Sequence, residues 1–179
     1  MGPEDKRVLR KIVRARLADV PVAEKERRST EICRSLKAHI AINDARVVAL
    51  FSPLPDEPMI GALIDELSKR MAVLLPRVEG DTMEFYLYSP ELMSCGAFGI
   101  MEPAGGVAVA PGEIDIMLVP GVAFTPCGDR IGRGKGFYDR YMSRNDFRAL
   151  KIGVCYAEQL IESIPMEPHD MKMDFVVYK

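Results

Sequence analysis

PGVAFTPCGDRIGRGKGFYDRY, residues Pro120 to Tyr141, is the stretch on which the reading of this chain turns. It follows Ile114-Asp115-Ile116-Met117-Leu118-Val119, a short apolar run with the character of a buried strand. Glycines fall at 128, 132, 134 and 136, with Arg130, Arg133 and Lys135 between them. Phe137-Tyr138-Asp139-Arg140-Tyr141-Met142 then reads as the start of a helix. A strand, a cationic glycine-rich loop and a helix N-terminus make an anion site. Glycine lets backbone N–H groups approach phosphate oxygens, and a helix dipole favours negative charge at its start. The stretch is read as a polyphosphate cradle, against the plainer alternative of a glycine-rich surface loop.

Spacing excludes two other phosphate motifs. A P-loop needs an earlier glycine at fixed distance from its Gly-Lys pair, and a Ser or Thr after it. Asp129 and Gly136 occupy those positions here. The dinucleotide fingerprint has the pattern G-x-G-x-x-G, whereas Gly132, Gly134 and Gly136 alternate strictly. Neither a P-loop NTPase nor a Rossmann dehydrogenase is indicated.

A chain of 179 residues is expected to form one domain with a sizeable core. Its 48% hydrophobic and 28% charged content is ordinary for a globular protein. A formal net charge of -2 argues against a dedicated nucleic-acid binder, so any anion site is local. No run approaches the roughly 20 apolar residues of a membrane span, and the N-terminus carries no apolar leader core. Cys33, Cys95, Cys127 and Cys155 are widely spaced without a C-x-x-C pair. That fits reduced thiols and a cytoplasmic location better than disulfides or a zinc site. Cys127 has no catalytic His near it in sequence and is read as incidental.

Glu4 to Asp19 reads as an amphipathic helix with Leu9, Ile12, Val13 and Leu17 on one face. Lys6, Arg10 and Arg14 form a basic stripe on it, which alone suggests a solvated face. Pro21 breaks the chain before a second helix from about Ala23 to Ala41, with Ile32, Leu36 and Ile40 inward and His39 at the surface. Arg46 to Phe51 reads as a strand, Ser52 to Pro58 as a loop, and Met59 to Arg70 as a helix with Pro58 at its first position. Strands are expected at Met71–Leu75 (closed by Pro76), Glu84–Tyr88, Leu150–Tyr156 and Asp174–Tyr178; Ser89–Gly112 has no firm assignment. Alternating strands and helices predict an α/β fold, a single three-layer domain with a mainly parallel sheet and helices on both faces. In such a sheet the ligand sits beyond the carboxyl ends of the strands, which the loops at Ser52–Pro58 and Pro120–Gly136 and the loop before Asp174 follow or can reach.

PGVAF followed by G-D-R-I-G-R-G-K-G-F-Y-D-R resembles the signature of the 5-formyltetrahydrofolate cyclo-ligase, or methenyltetrahydrofolate synthetase, family. Lys6-Arg7-Val8-Leu9-Arg10, Asp56-Glu57, and His169-Asp170 with Asp174 extend the resemblance over nearly the whole chain. It implies ATP- and magnesium-dependent cyclisation of 5-formyltetrahydrofolate to 5,10-methenyltetrahydrofolate, with release of ADP and phosphate. It also implies an ATP site of Lys6, Arg10, Arg130, Ile131, Gly132, Arg133, Gly134, Lys135, Gly136 and Tyr138. The folate is expected against Glu57 and the run Arg133, Gly134, Lys135, Gly136 and Phe137, with Lys135 and Arg133 serving catalysis. One carboxylate can accept two adjacent N–H donors of a pterin edge, which suits Glu57; helix capping is its other reading. Asp139 and Asp170 are the expected magnesium ligands, since that ion needs few carboxylates beside phosphate oxygens and water. Taken alone, Asp170 is more often a turn residue or helix cap, and Asp174 can support its loop. His169 lacks the companions of a His-metal site. The partners expected are ATP and the folate, for a monomer without nucleic-acid or membrane partners. Relatives commonly carry Tyr where this chain has Phe137, and the Pro53, Pro55 and Pro58 stretch departs from the commoner pattern.

Overall fold

The computed structural model describes residues 3–96 and 99–179. In chain order the elements are helix α1 (Pro3–Ala18), helix α2 (Val22–Ile42), strand β1 (Val47–Ala49) and helix α3 (Gly61–Leu67). Strands β2 (Ala72–Glu79) and β3 (Thr82–Leu87) follow, then the short antiparallel pair β4 (Met93–Cys95) and β5 (Met101–Pro103). Next come β6 (Ile116–Pro120), a second antiparallel pair β7 (Ala123–Phe124) and β8 (Arg130–Ile131), and helix α4 (Phe137–Met142). Strands β9 (Leu150–Cys155) and β10 (Phe175–Tyr178) end the chain.

Six strands form the central sheet in the order β10-β9-β6-β1-β2-β3, parallel throughout except for β3 against β2. Both faces are covered, which explains the near-continuous apolar strand sequences. Val48, Leu50, Ile116, Leu118, Ile152 and Val154 point to one side, where Ile32, Leu36, Ile40 and Leu63 of α2 and α3 meet them. Ala49, Met117, Val119 and Cys155 point to the other, against Phe85, Phe124, Tyr141 and Met142. The α/β fold with a mainly parallel sheet is as the sequence pattern predicts.

Several local expectations need correction or completion. Strand β2 runs through Pro76 instead of closing there. Val73 O accepts Tyr88 N, so Pro76 turns its nitrogen away from β3, to the edge where the β1 pairing has already ended at Ala49–Leu74. Helix α3 starts at Gly61, so Pro58 is not its first residue, and Ile60 occupies the cap without a side-chain bond. The unassigned Ser89–Gly112 stretch contains β4, β5 and short helical turns, while Ala97 and Phe98 within it lie outside the described residues. Ile12 is 43% exposed, whereas Val13 and Leu17 are buried beneath α1. Additionally, the β7–β8 hairpin interrupts the Pro120–Tyr141 stretch, so the loop proper is Gly132–Gly136.

Two aspartates close the amino-terminal edge. Asp115 accepts from the Arg46 and Val47 amides (both 2.8 Å), and Asp174 accepts from the Lys151 amide (2.7 Å) and Nζ. Asp174 therefore supports a strand start, away from the cradle. From β1 the chain proceeds to β2 on one side, whereas β6, β9 and β10 build the other. The carboxyl ends of β1 and β6 thus flank the switch point, where a crevice opens.

Phe124 packs where Gly121 and Gly153 leave room: a Cβ on Gly153 would stand 2.6 Å from its ring. Gly153→Ala is expected to cost about 1–3 kcal/mol of stability by overpacking. Urea denaturation checks this, and the additional change Phe124→Leu should recover part of the loss.

Candidate active site

A cavity of about 420 Å³ occupies the crevice. The loop after β1 contributes Phe51, Ser52, Leu54 and Glu57; β2 and β3 contribute Pro76, Val78 and Met83. The opposite wall is Pro120, Gly121, Arg130 and most of the run from Gly132 to Asp139, with Ile100 and Glu102 completing the lining.

The glycine loop presents backbone donors. Gly134 (φ +103°) and Gly136 (φ +68°) hold left-handed conformations that a side chain would strain. Among the described residues, no amide from Gly132 to Gly136 donates to a protein acceptor. The carbonyls are held instead: Arg10 Nε donates to Gly132 O and Arg140 Nη1 to Lys135 O, both at 2.8 Å. Lys135 is exposed, and its side chain has no protein partner among the described residues. Helix α4 has only six residues, so its dipole is weak beside the row of loop amides.

The other cations of the sequence reading are engaged with protein. Arg130 is 4% exposed; Nη2 donates to Asp139 Oδ2 (2.8 Å) and Nη1 to Pro120 O (3.2 Å). It lies under the loop, where a Cβ on Gly132 would approach Nη1 to 2.9 Å. Ile131 is buried with Val13, Val122 and Ala123, so only its backbone can reach a ligand. Lys6 is buried as well, donating to Glu167 Oε2 (2.7 Å) and Asp170 Oδ2 (2.5 Å). Burial weighs against its charge, yet the two carboxylates prevail and hold its pKa above the ordinary value.

Glu57 is 4% exposed and spans the crevice. Its Oε2 accepts from Leu54 N (3.0 Å), and its Oε1 from Arg133 Nε (3.1 Å) and Nη2 (2.8 Å). Arg133 also pairs with Asp56. Burial pushes the Glu57 carboxyl up despite the Leu54 amide and Arg133. The bond to Leu54 N closes the loop after β1 and does not cap α3. Phe137 and Tyr138 line the wall, Phe137 with the Arg140 guanidinium 5.3 Å from its ring centroid.

The two expected metal ligands face different cations. Asp139 lines the cavity, its oxygens accepting from Arg130 and from Met171 N (3.1 Å). Asp170 faces Lys6 and accepts from the Glu167 amide (2.6 Å). Each carboxylate is thus paired with a cation; Asp139 lies on the cavity, while Asp170 stands with Glu167 and His169 in a group whose ligand atoms lie within 4.8 Å of one another. His169 does gain acidic neighbours, its Nε2 standing 3.9 Å from both Glu167 and Asp170 oxygens. Glu102, a buried carboxylate in the cavity wall, was not singled out from sequence. Its Gly- and Pro-rich surroundings carry no periodicity that would mark it.

Fold and site define an α/β protein with a glycine-rich, cation-flanked loop facing a buried carboxylate across a switch-point cavity. The chain belongs to the 5-formyltetrahydrofolate cyclo-ligase family, whose model matches residues 3–179. A 5-formyltetrahydrofolate cyclo-ligase of Mycolicibacterium smegmatis is 34% identical over 99% of this chain and 95% of its own. The Mus musculus protein of that name is 29% identical over 97% and 93%. The NMR structure of 5,10-methenyltetrahydrofolate synthetase from Aquifex aeolicus superposes with a TM-score of 0.86 at 37% identity, covering 97% of this chain and 89% of that one.

Lys6→Met should lower stability at pH 6 by on the order of 3 kcal/mol, because it strands two carboxylates. Asp170 is held below its ordinary pKa: burial opposes this, but Lys6 and the Glu167 amide overcome it. Its contribution is therefore present above about pH 3.9 and lost as pH falls through the lower folded value. Denaturant titrations at pH 6 and pH 3 should show the gap between wild type and variant narrowing in acid.

Proposed function

We propose that this protein converts 5-formyltetrahydrofolate to 5,10-methenyltetrahydrofolate, consuming ATP and releasing ADP and phosphate. One observation carries the reading: unpaired amides from Gly132 to Gly136 and the free Lys135 share a cavity with buried Glu57. A site for an anionic tail thus adjoins a site for a heterocycle with N–H donors. Family membership supplies the chemistry that needs both.

A formamide carbonyl is a poor electrophile, and its oxygen is a poor leaving group. The formyl oxygen attacks the γ-phosphorus and ADP departs, leaving that oxygen as part of a phosphate ester. The neighbouring folate nitrogen attacks the formyl carbon and loses its proton, and the C–O bond breaks as phosphate leaves. Charge grows on the transferred phosphoryl oxygens, so positioning and fixed positive groups matter more than a protein nucleophile. Lys135 and the loop amides meet those oxygens. Arg133 holds Glu57 in place and stands between the two subsites. Arg10 acts through its bond to Gly132 O, and Lys6 and Arg130 act from behind the loop by fixing Asp170 and Asp139. Bound magnesium would neutralise phosphate charge, with Asp139 as its protein ligand.

We assign the protein to the cytoplasm as a monomeric single domain acting on small molecules. Its four unpaired thiols fit a reducing compartment, and no helix among the described residues is long and apolar enough to cross a membrane.

Methenyltetrahydrofolate formation, followed by absorbance with 5-formyltetrahydrofolate, magnesium and ATP, tests the reading directly. No product with ATP, or equal product without nucleotide, would refute it. Lys135→Ala should lower the rate by about 100-fold or more while leaving the melting temperature unchanged, since this side chain is exposed and unpartnered. Asp139→Asn should raise the magnesium concentration needed for half-maximal rate; an unchanged titration curve would remove Asp139 as a ligand.

A further inference from the structure

Most polar side chains lining the cavity are already committed to protein partners. Arg130 Nε has no partner but is sealed from the cavity space. Two side-chain donors remain both unpartnered and open among the described residues: Lys135 Nζ, which is exposed, and the hydroxyl of Tyr138. An unsatisfied hydroxyl facing a cavity is a place for a ligand acceptor, because leaving it unpaired once the cavity closes costs free energy.

The ring of Tyr138 is held in position. It meets Phe85 edge-on with centroids 6.4 Å apart, and the Arg130 guanidinium lies 5.8 Å from its centroid. A phenol carries its proton at neutral pH, so the hydroxyl is a neutral donor. The residue before it is Phe137, so Tyr138 supplies the hydroxyl of this part of the wall.

A pterin edge presents N–H donors in a row ending in a carbonyl. Glu57 is an acceptor and Tyr138 a neutral donor on the same cavity, which matches that order. We propose that the Tyr138 hydroxyl donates to the pterin carbonyl adjoining the N–H edge taken by Glu57. Tyr138 then belongs to the folate subsite and not to the ATP subsite where the family resemblance put it. The inference rests on the function proposed above.

Calorimetric titration of wild type and Tyr138→Phe without nucleotide tests it, using 5-formyltetrahydrofolate and 5-methyltetrahydrofolate. The second ligand keeps the pterin carbonyl and lacks the formyl oxygen. The variant keeps the ring and loses only the hydroxyl. Both ligands should bind about 3- to 10-fold more weakly to the variant, the size of one neutral hydrogen bond. The KM for ATP should stay within about twofold of wild type. Weakening confined to the formyl ligand would move the contact to the formyl oxygen and overturn the pterin assignment. Unchanged folate affinity, or a change in ATP KM alone, would return Tyr138 to the nucleotide and end the proposal. Wild type that binds neither folate would remove the functional reading itself, and this proposal with it.

Discussion

One carboxylate buried at the switch point, Glu57, governs the arrangement of the site. It is drawn out of water at an energetic cost that burial imposes on any ionised carboxyl, and the Leu54 amide and the Arg133 guanidinium offset that cost. The consequence is geometric. The loop after β1 must close on itself, and the glycine loop after β8 must come to it. Two segments far apart in sequence become walls of one cavity because a desolvated charge can be satisfied only where they meet. The strand order makes that meeting possible, since the chain leaves the β1 and β6 ends in opposite directions.

The same economy separates cations that build the site from cations free to bind. Arg130 and Lys6 are nearly inaccessible and lie in ion pairs with Asp139 and Asp170, while Arg10 and Arg140 hold loop carbonyls. A guanidinium fits this structural work because its fork can serve a carboxylate and a carbonyl together. Arg130 does so with Asp139 and Pro120, beneath a glycine whose missing side chain gives it room. With the carbonyls held, the Gly132–Gly136 amides keep no protein acceptor among the described residues, and Lys135 keeps no partner there. A loop with several positive charges in its sequence thus offers chiefly backbone donors and one lysine.

The segments whose structure departs from the sequence reading are those where pairing decides. Pro76 sits mid-strand because its missing donor faces an edge that β1 has already left. Glu102 lines the cavity from a stretch without recognisable periodicity. The Ala123–Phe124 and Arg130–Ile131 strands are two residues each, too short for alternation to register.

The sequence by itself determined the alternation of strand and helix, the parallel sheet with apolar strands, the strict glycine spacing from 132 to 136, and the family. These are local: periodicity, φ > 0 requirements and motif order are written in consecutive residues. Only the tertiary structure decided which charges are spent on one another. Lys6 and Asp170 stand far apart in the chain, as do Glu57 and Arg133, and no spacing rule announces that they pair. Burial makes the difference. A charge exposed on an isolated helix or loop looks available to a ligand, but once desolvated it takes the nearest opposite charge the fold brings to it.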